Sequence, residues 1–327
     1  MRLEPKKIMC AIDFSDFTNI VLSYGKSMAS EFHSSLCLCH ILSGTLMVSS
    51  LGHSYINYTD IETDRIKSAK DRLEKIAEEL DIECEIIVSS GHVPDEINEI
   101  VLKNNIDMVI AATHGGSGIK RFLIGSVTDR LVKILQCPLL VLFTQKEHLT
   151  STVEKKIKLK RILVGCDFSP DSKLAFDYAL SLAQEFQTQL YLAHVIRPTE
   201  QIELPASNYI KIQGGEYTNW TRSEYLELKK KATNEDLKNK KTLFNRLEKQ
   251  LSDMVPEDSR NWCTPITILL EGQPYKELID YAVQKEVDMI VLGVHGHSLL
   301  ERFIVGSTTD RVISRASCPV LVVRQTV

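Results

Sequence analysis

The 327-residue sequence contains no run of about 18 apolar residues, the length that a membrane-spanning helix needs. Its first residues, MRLEPKKIMCAIDF, carry lysines with no long apolar stretch behind them, so they do not read as a secretory signal. A cytoplasmic location is the expectation. Neither charge dominates: 39 Lys and Arg stand against 43 Asp and Glu, a net charge of −4. That balance offers nothing to hold nucleic acid or an anionic membrane. The eight cysteines include no Cys-x2-Cys pair, which removes the usual spacing of zinc and dithiol redox sites. Cys37 and Cys39 share one face of an expected strand and read as core, as do Cys10, Cys137 and Cys318, all reduced. There is no Gly-x4-Gly-Lys-Ser/Thr phosphate loop. No nucleophile stands at a readable spacing from an activating base, so no catalytic residue is assigned.

What the chain has is a repeat. Met289 to Thr309 reads MIVLGVHGHSLLERFIVGSTT, and Met108 to Thr128 reads MVIAATHGGSGIKRFLIGSVT. His114, Gly115, Arg121, Phe122, Gly125, Ser126, Asp129, Arg130, Cys137 and Pro138 all recur 181 positions later. Each copy is an apolar run, a glycine turn, a loop and a helix start. Glycine at a strand end lets a phosphate approach the backbone. A helix start offers free N–H groups and the positive end of the dipole to an anion. His114 and His295 sit between strand end and glycine and read as loop-shaping residues. The repeat extends further: IMCAIDFS matches ILVGCDFS and LCLCHIL matches LYLAHVI at an offset of 154. The offset grows to 171 in the next helix and to 181 at the glycine loop, so the second half carries 17 and then 10 extra residues.

Each half alternates short, continuously apolar strands with helical patterns, which predicts a mostly parallel sheet covered on both faces. In the first half strands are expected at Lys7–Ile12, Ser35–Leu42, Ile82–Ser89, Asp107–Ala112 and Pro138–Phe143. Helices are expected from Ser15 or Asp16 (either a potential cap) to Phe32, along Ile66–Leu80, over Asp95–Lys103 and over Gly125–Leu135. The expected organisation is a first domain over 1–145, a polar linker over 146–159 and a second domain over 160–327. An insertion around 198–222 reads as a surface loop or a lid. The basic cluster Lys155, Lys156, Lys158, Lys160 and Arg161 reads as solvated linker.

With these motifs in place, the sequence resembles the universal stress protein family over nearly its whole length, as two tandem copies. The resemblance implies two Rossmann-like domains of the adenine nucleotide alpha hydrolase-like type, each a five-stranded α/β sheet. Nucleotide-binding members carry Gly-x2-Gly-x9-Gly-Ser/Thr after strand four and an Asp ending strand one. Gly293, Gly296, Gly306 and Ser307 match in full, and Asp167 takes the Asp position. The resemblance implies ATP or AMP as ligand, with Mg or Mn accompanying ATP. It places the site on Asp167, Val195, Gly293, Gly296, Gly306, Ser307 and Thr308. A weaker first-half site would use Asp13, Ile41, Gly115, Gly125, Ser126 and Val127. It further implies a stress-response sensor or regulator acting through protein partners. The alternatives are an interaction module that binds no nucleotide and a slow ATPase. The fifth strands should pair edge to edge as an intrachain pseudo-dimer, and a further homodimer is common in the family.

The first half departs from the pattern at Ala112, which stands where the second half has Gly293. A methyl pointing at the ribose and phosphates would weaken the first site, by about 1–3 kcal/mol for overpacking. Lys120 against Glu301 partly offsets this. About one tight nucleotide per chain is the expectation.

Overall fold

The computed structural model describes residues 4–43, 58–80, 83–113, 125–143, 157–197, 209–211, 217–219, 238, 240–263, 265–295 and 305–325. The first half supplies strands β1 (Lys7–Ala11), β2 (Ser35–Ser43), β3 (Cys84–Gly91), β4 (Met108–Ala112) and β5 (Leu139–Leu142). Its helices are α1 (Thr18–Phe32), α2 (Tyr58–Leu80), α3 (Val93–Lys103) and α4 (Ser126–Ile134). The second half repeats the order with β6 (Arg161–Gly165), α5 (Pro170–Phe186) and β7 (Gln189–Ile196). A hairpin of β8 (Tyr209–Lys211) and β9 (Tyr217–Asn219) comes next, then helix α6 over 240–253. The half closes with β10 (Ile266–Glu271), α7 (Pro274–Gln284), β11 (Met289–Gly293), α8 (Ser307–Arg315) and β12 (Val320–Val323).

All the strands but the hairpin join one sheet, in the order β10-β7-β6-β11-β12-β5-β4-β1-β2-β3. Every pair is parallel except β12 with β5, where Val320, Leu321 and Val322 face Val141, Leu140 and Leu139. The expected α/β fold with edge-to-edge fifth strands is what forms. The reason is physical: β5 and β12 are short runs with all four residues buried, and each would otherwise leave an open apolar edge. The halves also meet through Phe32 and Phe186, whose rings pack edge-on at 6.5 Å, and through Arg324, which donates from Nη2 to the Val132 carbonyl at 3.1 Å.

The strands read as continuous apolar runs because both faces are covered. One face packs α1, α2, α5 and α6 over Ile8, Cys10, Leu38, Val164 and Leu192; the other packs α3, α4, α7 and α8 over Met9, Cys37, Cys39, Leu163 and Ile290. All eight cysteines are free thiols. Burial pushes the Cys37, Cys137 and Cys318 thiols up to about 12, as expected of core sulfur.

Three expectations change. Neither Ser15 nor Asp16 caps α1: the helix starts at Thr18 behind Phe17, whose side chain makes no capping bond, and the Ser15 hydroxyl donates to Asp13 Oδ1 instead. The end of the linker is solvated only in part: Lys158 and Lys160 are exposed, as expected of the basic cluster, but Leu159 is buried and the Ile157 N–H donates to Ser27 Oγ at 3.0 Å. The third helix begins at Val93, with Pro94 inside its first turn, where a missing N–H costs nothing. The insertion contributes the β8–β9 hairpin; Trp220, Lys120, Glu301 and most of the linker lie outside the described residues.

Candidate functional site

In each half the strand order places the first and fourth strands side by side with crossovers leaving in opposite directions. Ligands of open α/β sheets collect at that switch point, beyond the carboxyl ends of the strands. In the second half a cavity of about 520 Å³ lies there. Its walls include Asp167, Phe168, Val195, Arg197, Gly293 and His295, together with Gly306, Ser307 and Thr308. Six of the seven second-half residues expected from the sequence therefore come together. The seventh, Gly296, lies outside the described residues.

The turn after β6 holds the first group. Asp167 Oδ1 accepts from the Ser169 N–H at 3.0 Å, and no partner of Oδ2 is found among the described residues. Ser169 caps α5, its hydroxyl accepting from the Ser172 N–H at 3.2 Å. Between them Phe168 has φ 64°, in the left-handed region that a bulky residue rarely enters.

Val195 contributes through its backbone. The Cys166 N–H donates to the Ala193 carbonyl at 2.8 Å, and the β6–β7 register stops at Gly165 with Ala193. Backbone groups of alternate residues point to the same side of a strand. Val195, two residues on, thus turns its N–H and C=O toward the β6 side after β6 has ended. The Ile196 carbonyl faces the other way and accepts from Gly272.

The start of α8 supplies the third group. Gly306 is its N-cap and makes no side-chain capping bond; the Asp310 N–H donates to the Gly306 carbonyl at 3.0 Å, while the N–H groups of Ser307, Thr308 and Thr309 precede any intrahelical acceptor. Two bonds fix this end against the sheet: Thr309 Oγ1 donates to the Gly293 carbonyl at 2.7 Å, and the Gly306 N–H to the Val294 carbonyl at 2.8 Å.

Gly293 has a role that the sequence did not show. A Cβ there would stand 2.7 Å from both the Cβ and the carbonyl carbon of Asp171 on α5. The expectation that a methyl at this position points at ribose and phosphate is corrected: it would strike the helix. Glycine lets α5 dock against β11. Asp171 then accepts from the His295 N–H at 3.0 Å, from the Gln325 N–H at 3.1 Å, and bonds His295 Nδ1 at 2.9 Å. His295 is held as a loop-shaping residue, as expected; His114 lies outside the described residues.

The first half repeats the frame. Asp13 Oδ1 accepts from the Ser15 N–H at 2.9 Å, and Phe14 has φ 59°. The Cys39 carbonyl accepts from the Ile12 N–H, so Ile41 turns its backbone groups toward β1 as Val195 does toward β6. Gly125 caps α4, whose first residues are Ser126 and Val127, and the Thr128 hydroxyl donates to the Ala112 carbonyl at 2.9 Å. The Val127 side chain packs into the core, which leaves only its backbone for a ligand. Gly115 lies outside the described residues.

Phe14 with His40, and Phe168 with His194, are residues that motif reading passed over. Each imidazole bonds through Nδ1 to a carbonyl at the end of the first strand, Ile12 at 2.7 Å and Cys166 at 2.8 Å. Each packs at a tilt against the neighbouring phenylalanine, with centroids 4.3 and 4.8 Å apart and planes 40° and 41° from parallel. Their recurrence at the 154-residue offset was the available signal. Burial lowers the pKa of His40, opposed by its bond to Ile12 and assisted by nearby Arg72.

Comparison with known proteins agrees with this architecture. A family model described as the universal stress protein family matches residues 4–142 and again 158–324. The universal stress protein MJ0531 of Methanocaldococcus jannaschii is 32% identical over 167 residues, 51% of this chain and 82% of that protein. A universal stress protein of Mycobacterium tuberculosis is 25% identical over 247 residues, 75% of this chain and 70% of that protein. The crystal structure of a universal stress protein from Archaeoglobus fulgidus has the same fold, with a TM-score of 0.66 at 18% identity over 99% of this chain and 100% of that one. The family model covers both halves in turn, and the chain belongs to the universal stress protein family as a tandem two-domain member.

Proposed function

We propose that the second half binds an adenine nucleotide, ATP or AMP, and that the protein acts as a nucleotide-dependent sensor or regulator of the stress response through protein partners. The observation that carries this is the convergence on one cavity of three complementary groups. The Val195 N–H and C=O form a donor–acceptor pair suited to the edge of adenine. Asp167 can accept from ribose hydroxyls. The uncapped start of α8, with Gly306, Ser307, Thr308 and the loop glycine Gly296, receives phosphate. Arg197, at the rim, adds a cation.

Binding is favoured over efficient turnover. Among the described residues no hydroxyl or thiol of the cavity is hydrogen-bonded to an imidazole nitrogen. No group of three His, Cys, Asp or Glu among the described residues could hold a metal, so Mg or Mn would arrive on the phosphates of ATP.

The test is mass spectrometry of nucleotide released by denaturing the purified protein, followed by calorimetric titration of the stripped chain with ATP and with AMP. Bound adenine nucleotide that Asp167→Ala weakens supports the reading. No binding by the parent chain, or an Asp167→Ala protein that binds equally well, overturns it.

A further inference from the structure

The aromatic turn after the first strand is built in both halves, yet among the described residues only the first carries a cation over its ring. Phe14 and Phe168 hold the same left-handed conformation, φ 59° and 64°, and each leans on an anchored histidine. Keeping a bulky residue in that region costs free energy, so a twofold occurrence points to a use for the ring at that place. In the second half Phe168 lines the cavity. In the first half Arg72, reaching from α2, sets its guanidinium carbon 3.8 Å from the centroid of the Phe14 ring. That is stacking distance for a planar group, the separation at which a nucleobase would sit. Two planar groups cannot occupy it together.

The repeat shows that this contact is peculiar to one half. The position of α6 matching Arg72 is Leu243, an exposed residue with no charge and no planar group. The steric explanation based on Ala112 does not account for a difference in binding, because a Cβ at the equivalent Gly293 meets Asp171 and not a ligand. Arg72 does account for it, since it occupies the face itself.

We infer that Arg72 occludes the first-half nucleotide site by stacking on Phe14, and that Phe168, over which no cation stands among the described residues, is the base platform of the second. The inference rests on the nucleotide-binding reading of the second half. It assigns the difference between the halves to one exposed side chain on a helix outside the glycine motif.

Calorimetric titration with ATP and with AMP, on the parent, Arg72→Leu, Arg72→Lys and Phe168→Ala, tests it. Arg72→Leu installs the residue of the other half; Arg72→Lys keeps the charge and removes the planar group. The expected result is a single nucleotide per chain for the parent, a second for both Arg72 variants, and a loss of the parent's site in Phe168→Ala. A parent that already binds two, Arg72 variants that bind no more than the parent, or weaker binding in Arg72→Leu (the sign of a phosphate contact) overturns the occlusion. Phe168→Ala binding as tightly as the parent overturns the platform. A parent that binds none while Arg72→Leu binds one leaves the occlusion standing and removes the reading of the second half. No binding by any of the four proteins removes both.

Discussion

Around Phe14 and around Phe168 the two halves build the same turn and then part ways. Each has an Asp whose Oδ1 closes the turn, a left-handed Phe and a histidine pinned to the strand end. Past that turn they differ. In the second half Ser169 caps α5 two residues earlier in the repeat, and Asp171 ties that helix to His295 and to the backbone just after β12. In the first half Phe17 stands at the position of Asp171, α1 starts later at Thr18, and Arg72 descends on Phe14. Duplicated units thus keep the backbone path, which sheet pairing enforces, and diverge in the helix starts and side chains around the site.

The likeness of the halves can be broken at their shared seam, and their difference sharpened around the site. The largest effect should come from the seam. Leu140 and Leu321 face each other across β5 and β12 and are both buried. Replacing either with Ala should destabilise by about 2–5 kcal/mol, similarly from both sides. Urea unfolding would detect a marked inequality, and a double-mutant cycle should show that the two losses do not add.

Next is Asp171→Ala, which strips three bonds and leaves the His295 and Gln325 N–H groups without their acceptor. The expected cost is about 1.5–3 kcal/mol, together with weaker nucleotide binding as the glycine loop loses its anchor. Unfolding and titration of the same protein check both. A stable variant with unchanged affinity would break the claim that this anchor distinguishes the second half.

Gly293→Ala should cost about 1–3 kcal/mol, because the methyl meets helix backbone. The reciprocal Ala112→Gly should lose about 0.5–1 kcal/mol through added backbone freedom and gain no nucleotide site. A binding site created by Ala112→Gly alone would restore the steric explanation and remove the occlusion by Arg72.

The smallest effect is a pH slope from His40. Its folded pKa lies below the usual histidine value, chiefly from burial, so the unfolded chain takes up its proton first as pH falls. Stability from the neutral ring is fully present above the unfolded pKa of about 6.5 and declines as pH falls from there toward the lowered folded value. His40→Gln should flatten that slope in unfolding measured between those limits; an unaltered slope would count against it.

Much of this was legible in the residues. Continuous apolar runs such as Met289–Leu292 can be buried on both faces only in a covered parallel sheet. The recurrence of HGx…GS and of DFS gave the duplication, and the family resemblance implied the pairing of fifth strands that β5 and β12 make. The direction of a Cβ was not legible. Gly293 looked like a phosphate-loop glycine because linear spacing says nothing about which neighbour a missing side chain would touch, and the neighbour is Asp171, 122 positions away. Leu159, within a polar stretch, looked like linker because burial depends on the face that the chain happens to cross.

By itself the sequence determined the strand and helix order, the two copies, the family and the motif residues of the cavity, because periodicity and repeated motifs are local properties written along the chain. Only the tertiary structure decided that Asp171 braces His295 and that Arg72 covers Phe14 while Phe168 lines the cavity. Those contacts join residues far apart in the chain, and a stacking or hydrogen-bonding distance exists only once the sheet has set both partners in place.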